Sequence, residues 1–209
     1  MLKKNSKDLS FKLYHYYRSS CSWRLRWALQ LKNLSYSSLH VNLLAGEQSE
    51  ISYTKINSSQ SVPSLAINGT NFSESLALIE WLEESYPKPS LLPKGALERL
   101  YVRELALVIA SGTQPLQNLQ AQKYYSESKE KRLQYTQYWI SRGLNVYEEK
   151  LRRANLSALC SYKDQVSLAD LCLIPQCYNA VRFKLDLKKF PIINKIYQHC
   201  LELSSCQES

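Results

Sequence analysis

Short blocks of changing period mark the first ninety positions of the chain, and longer helical blocks mark the rest. Residues 11–17 alternate apolar and polar positions and predict a strand; 23–31 predict a helix and 36–44 a second strand. A polar stretch over 48–55 reads as a short helix. Residues 62–67 and 70–72 flank Asn68-Gly69, the strongest short hairpin signal. A helix over 73–84 follows, with Leu76, Ile79, Trp81 and Leu82 on its apolar face and Ser73 as expected N-cap. The order is βαβαββα. Prolines 87, 89 and 93 with Gly95 then punctuate a linker over 87–96. Beyond it the periodicity is helical, over 98–109 and 129–151 and again after Ser167. There Ser167 and Asp170 form a capping-box signature, with Val166 and Leu171 as its staple. The expected organisation is an extension (1–10), an α/β domain (11–86), the linker and an all-helical domain (97–209).

Composition narrows the class. The chain has 209 residues, 44% hydrophobic and 22% charged, enough for two small cores or one large one. No apolar run reaches the roughly 18 residues of a membrane span. The basic first eight residues are not followed by an apolar signal core and read as a short extension. Lys and Arg exceed Asp and Glu by 27 to 18, but they are dispersed, and Glu130 interrupts the richest stretch. That pattern is not a nucleic-acid footprint, and a small acidic ligand suits it equally well. The six cysteines form no C-x-x-C pair and the three histidines are scattered, so no metal site is expected. They read as reduced thiols of a cytoplasmic protein, with Cys172 and Cys177 in the core.

Only Cys21 stands in a chemically loaded place. Ser19, Ser20, Cys21 and Ser22 crowd the start of the first helix, where open N–H groups and the dipole favour negative charge. Such a site can hold a thiolate, either that of Cys21 or one brought by a ligand. Val62-Pro63 opens a strand beside it and is a candidate cis peptide. Glu74 and Ser75 begin the third helix, where they could cap it or hold a charged ligand. Gln114, Gln117 and Asn118 fall on the second domain's first helix or its kink at Pro115. Arg182, beside Phe183 and Leu185, needs a carboxylate: a ligand's, or that of Asp186 one turn on.

Taken together, the string SSCSWRLRWAL at 19–29, Val62-Pro63-Ser64-Leu65, the 74–84 block, QPLQNL at 114–119, ADLCLIPQ at 169–176 and NAVRFKLDL at 179–187 resemble the zeta class of glutathione transferases. The founding activity of that class is isomerisation of maleylacetoacetate. The likeness spans roughly residues 11–200. It implies a thioredoxin-like domain followed by a helical one, with glutathione as cofactor and a cytoplasmic homodimer active in tyrosine and phenylalanine catabolism. Ser19 is the expected donor to the glutathione sulfur, with Ser20 and Cys21 as alternates. Val62, Glu74, Ser75, Gln48, Gln114 and Asn118 are the implied glutathione contacts, and Arg18 and Arg182 would face an acidic substrate. The loop before Gln48 is about two residues shorter than is usual in the class, and Asn57-Ser58 replaces the commoner Asn-Pro. Three rivals stay open: Cys21 as nucleophile, a general transferase or α-haloacid dehalogenase, and a non-enzymatic binding protein on the same scaffold.

Overall fold

The computed structural model describes residues 9–156 and 158–207; the basic extension lies, up to residue 8, outside them. The chain forms two compact units that divide between Ser90 and Leu91.

The first unit is a four-stranded sheet in the order β2-β1-β3-β4 with helices. β1 (Phe11–His15) is central and alternates as predicted, burying Phe11, Leu13 and His15. It pairs in parallel with β2 (Ser37–His40) and antiparallel with β3 (Ser64–Ile67), which forms the Asn68-Gly69 hairpin with β4 (Thr70–Ser73). β2 is shorter than the sequence predicts because Asn42 turns the chain. Its Oδ1 accepts from the N–H groups of Leu44 and Ala45, and the Glu47 carboxylate accepts from its own N–H. The helix expected over 48–55 is two pieces, a 3-10 turn (Glu47–Ser49) and α2 (Ile51–Thr54). Glu50 sits between them in an extended conformation.

α1 (Ser20–Leu31) starts earlier than its apolar pattern suggests, because Ser19 caps it. α3 (Ser75–Ser85) starts later. Ser73 is not its N-cap, since it still pairs with Ser64 in the sheet, and Glu74 holds the N-cap position. Lys32, just past α1, is buried and donates to the Glu83 carboxylate of α3 and to the Pro89 carbonyl, each at 2.6 Å. Leaving either charge alone there would be costly, so the pair fastens α1 to α3 and to the chain's exit.

The second unit is helical among its described residues: α4 (Ala96–Ala110), α5 (Gln114–Gln117), α6 (Leu119–Tyr125), α7 (Lys129–Ala154), α8 (Leu168–Arg182), α9 (Pro191–Glu202) and α10 (Ser204–Gln207). α8 is buried on nearly every side and packs most extensively on α4. Its capping box is present: Asp170 accepts from the Ser167 N–H and hydroxyl, each at 2.8 Å, and also from the Ser161 N–H at 2.7 Å. Glu148 of α7 supplies the cap that Phe190 cannot give α9, accepting from the N–H groups of Ile192 and Ile193. Pro115 does not kink the first helix of this unit; it opens the separate one-turn α5, where its missing N–H costs nothing. Cys172 and Cys177 are fully buried, as expected. Cys160, Asp170 and Cys200 gather within 4.8 Å of one another, a cluster invisible in the spacing. The contact with Cys160 and burial push the Cys200 thiol up, and the hydrogen bonds above occupy the Asp170 oxygens, so the cluster serves the core.

Candidate functional site

Register decides what meets in the first unit. Tyr14 pairs with Ser64, and Ser64 pairs with Ser73, so the three lie in one row across adjacent strands. The segments leaving that row are 16–20, 62–63 and 74–75. Topology therefore gathers Ser19, Val62, Glu74 and Ser75 at one end of the sheet. β2 ends there too, with the Val41 N–H bonded to the His15 carbonyl. An apolar cluster of Tyr16, Val41, Tyr53 and Val62 supports the floor.

Ser19 is the N-cap of α1, and its Oγ accepts from the Ser22 N–H at 3.2 Å. A hydroxyl has one proton and two lone pairs, so the cap uses a lone pair and leaves the proton to donate elsewhere. No hydrogen bond from that proton is seen among the described residues. Ser20 lies buried in the first turn and Cys21 is half-buried behind it. Ser19 is the hydroxyl that combines the cap position with an open donor.

Val62-Pro63 is cis. The backbone N–H and C=O of Val62 make no hydrogen bond among the described residues, so an extended ligand can pair with them as a strand would. The preceding turn is braced in a way the sequence did not reveal. Tyr53 Oη donates to the Ser61 carbonyl at 2.6 Å and Asn57 Nδ2 donates to the same oxygen at 2.8 Å. Asn57 Oδ1 accepts from the Ser59 N–H and hydroxyl. Asn57-Ser58 thus builds a tight polar turn without the usual proline.

Glu74 has φ +68°, in a region that non-glycine residues occupy at a cost and that clusters at functional sites. Its side chain makes no cap bond, and the Ser75 hydroxyl has no partner among the described residues. The first-turn N–H groups of α3 are thereby open to an anion. Gln48 Oε1 is buried without a hydrogen-bond partner among the described residues, an orphaned acceptor that fits a ligand N–H.

Arg24 and Arg26 are buried in α1 and do not face solvent. Arg26 donates to His15 Nδ1 at 3.3 Å, while His15 Nε2 meets Ser38 Oγ at 2.7 Å. A guanidinium is always a donor, so His15 must accept at Nδ1, carry its proton on Nε2 and remain neutral. Burial, then Arg26 and His40, lower its pKa to about 4. Arg18 is exposed, with its guanidinium 5.1 Å above the Tyr17 ring.

In the helical unit, Gln114 is buried on α5 and Asn118 caps α6 by accepting from the Ala121 N–H at 2.8 Å. That bond takes Asn118 Oδ1, so the amide nitrogen is the group that can reach a ligand. Gln117 pairs with Gln176 instead of facing solvent. Arg182 ends α8, exposed, its guanidinium 4.9 Å over the Phe183 ring. Asp186, the alternative partner, accepts from the Lys188 N–H to start a 3-10 turn.

Comparisons with known proteins agree with this chemistry. Residues 13–90 match the family described as Glutathione S-transferase, N-terminal domain. The chain is 42% identical over 199 residues to maleylacetoacetate isomerase of Mus musculus, covering 94% of this chain and 90% of that one. Among solved structures it is similar to the holo form of a bacterial zeta-class maleylpyruvate isomerase, with TM-score 0.92, 35% identity and 94% and 95% of the two chains covered. Maleylacetoacetate isomerase of Anaeromyxobacter dehalogenans, with glutathione in its active site, matches with TM-score 0.86 and 37% identity over 95% and 94% of the chains. Sequence, fold and open donors converge, and the chain belongs to the zeta class of glutathione transferases, the family of the maleylacetoacetate isomerases.

Proposed function

We propose that this chain is a glutathione-dependent cis–trans isomerase that converts maleylacetoacetate to fumarylacetoacetate. The observation that carries the reading is the set of open polar groups at one end of the sheet, the Ser19 hydroxyl, the Val62 backbone and the α3 N-terminus, together with the orphaned acceptor Gln48 Oε1. They suit in turn a thiolate, an extended peptide, a carboxylate and an amide N–H, which are the groups of glutathione.

Bound glutathione supplies a thiolate that adds reversibly to the conjugated alkene, so that the bond can turn before the thiol leaves. The chain's own residues do the rest. Ser19 donates its hydroxyl proton to the sulfur, and the N-terminus of α1 stabilises the same charge. Val62 holds the cysteinyl backbone, Ser75 and the first-turn N–H groups of α3 hold the γ-glutamyl carboxylate, and Glu74 accepts from its ammonium. Gln48 accepts from the glycyl end. By the resemblance to the class, Gln114 and Asn118 of the helical unit are further glutathione contacts, and Arg18 and Arg182 are the cations for a substrate carboxylate.

The deciding assay uses maleylacetone with and without glutathione, beside dichloroacetate and chlorodinitrobenzene. Glutathione-dependent isomerisation that exceeds both other reactions is expected. Turnover without glutathione, or dehalogenation and aryl transfer that exceed isomerisation, would overturn the assignment.

We further infer a cytoplasmic homodimer acting in tyrosine and phenylalanine breakdown. All six cysteines are free thiols, which suits a reducing compartment. Leu97, Leu100 and Leu107 form an exposed apolar line along α4 that a second copy could cover. A monomeric mass by light scattering would remove the dimer.

A further inference from the structure

The helical unit contains a buried polar contact that filling the space does not require. The side chains of Gln117 on α5 and Gln176 on α8 form a reciprocal amide pair. Gln117 Nε2 donates to Gln176 Oε1 at 2.6 Å, and Gln176 Nε2 donates to Gln117 Oε1 at 3.0 Å. Both residues are buried, at 5% and 0% exposure. Two apolar side chains of the same size would fill this space and leave no polar group unsatisfied. What the amides add is direction, because each N–H must meet the other's oxygen.

Direction matters because α5 cannot hold itself. It is a single turn, below the length at which a helix is stable alone, and Thr113 gives it no side-chain cap. Its place depends on tertiary ties. Thr113 Oγ1 donates to the Val108 carbonyl at 2.8 Å, Gln122 Nε2 donates to the Gln117 carbonyl at 2.6 Å, and the amide pair joins α5 to α8. Gln114 stands three residues before Gln117, a neighbour on the same turn. Arg182 stands six residues beyond Gln176 on α8, about 9 Å along its axis.

We infer that Gln117 and Gln176 are positioning residues, an amide clamp that sets Gln114 and Arg182 relative to each other for glutathione and the acidic substrate. The inference rests on the reading of those two residues as ligand contacts. The test compares the full-length protein with the double variant Gln117→Met/Gln176→Met. That variant keeps the packed volume and is expected to unfold at the wild-type temperature. Its kcat/KM for maleylacetone is expected to fall by about tenfold to a hundredfold through KM, the scale of a small misplacement. Wild-type kinetics in the folded double variant, with Gln114→Ala and Arg182→Ala impaired, would overturn the clamp. Wild-type kinetics in those two alanine variants as well would overturn the site reading beneath it. Should the double variant not fold, Gln117→Glu decides. The protonated acid can donate to Gln176 Oε1 and the carboxylate cannot, so its KM must approach that of wild type as pH falls. A KM ratio to wild type that stays constant with pH would overturn the clamp.

Discussion

Replacing Ser19 separates the observed role of its oxygen, the α1 cap, from the proposed one, donation to the sulfur of glutathione. In Ser19→Ala, α1 loses the cap bond to the Ser22 N–H, and the sulfur of bound glutathione loses a donor. Cap loss costs about 1 kcal/mol of stability with Ala but only a few tenths with Gly. A hydrogen bond to a charged group contributes about 1.5–3 kcal/mol. At about 1.4 kcal/mol per unit, that raises the bound thiol's pKa by roughly one to two units. Activity near neutral pH is therefore expected to fall about tenfold to a hundredfold and to recover as pH rises. Ser19→Gly should show the same kinetic defect with little loss of stability, and Ser19→Thr should keep both functions. Three measurements follow each variant: the pH–rate profile with maleylacetone, the ultraviolet absorbance of the bound thiolate and a denaturant melt. An unchanged pH–rate profile in Ser19→Ala, with activity abolished in Cys21→Ala, would refute the reasoning and make Cys21 the thiolate-bearing residue.

Two further outcomes follow from buried contacts. His15 has a folded pKa of about 4 against an ordinary 6.5, so the unfolded chain takes up the proton first as pH falls. Its contribution is complete above pH 6.5 and is lost progressively down to about pH 4, a change of about 3 kcal/mol. Urea melts across that range should slope less in His15→Gln, and equal slopes would show that another group controls the acid transition. At Gly143 of α7, an added Cβ would stand 2.0 Å from Thr113 Oγ1 and 2.9 Å from its Cγ2. Gly143→Ala should destabilise by about 1–3 kcal/mol, as overpacking does, and Thr113→Ala in the same chain should restore part of the loss, since Thr113 Cβ would still stand 3.0 Å from the added carbon. A Gly143→Ala variant as stable as wild type would mean that α5 moves freely.

What was legible in the sequence was local. The alternation of 11–15, the Asn68-Gly69 turn and the Ser167-Asp170 box each carry their signal within a few residues, and all three appear in the structure. The misplaced boundaries come from competing partners that the apolar pattern does not register. Ser73 looks like a cap until Ser64 holds it in the sheet, and residues 41–44 look like strand until Asn42 and Glu47 close a turn. The site divides along the same line. The helix start at 19–22 and the Val62-Pro63 step announce themselves, and the resemblance to the zeta class then singles out Ser19 and Val62. The roles of Tyr53, Asn57 and Gln176 could not be named, because each acts on a partner whose position only the fold supplies.

The charge balance shows why this distinction matters for function. The formal charge of +9 suggests a broad attraction for an acidic substrate. In the fold, Arg24, Arg26 and Lys32 are buried. Arg26 holds His15 and the Tyr17 carbonyl, and Lys32 neutralises Glu83, so this part of the positive charge is spent inside the first unit. What the remaining dispersed lysines contribute at a distance is screened within about 8–10 Å at physiological salt. Recognition of a carboxylate therefore falls to cations at short range, and of the two the sequence nominated, Arg18 and Arg182 are both exposed with their guanidinium groups set on an aromatic ring. An arginine stacked in this way gives up little further freedom when it takes a planar carboxylate bidentately, which a mobile lysine cannot match. On the proposed function, selectivity for an acidic substrate rests on the placement of individual arginines, and the net charge is a poor guide to it.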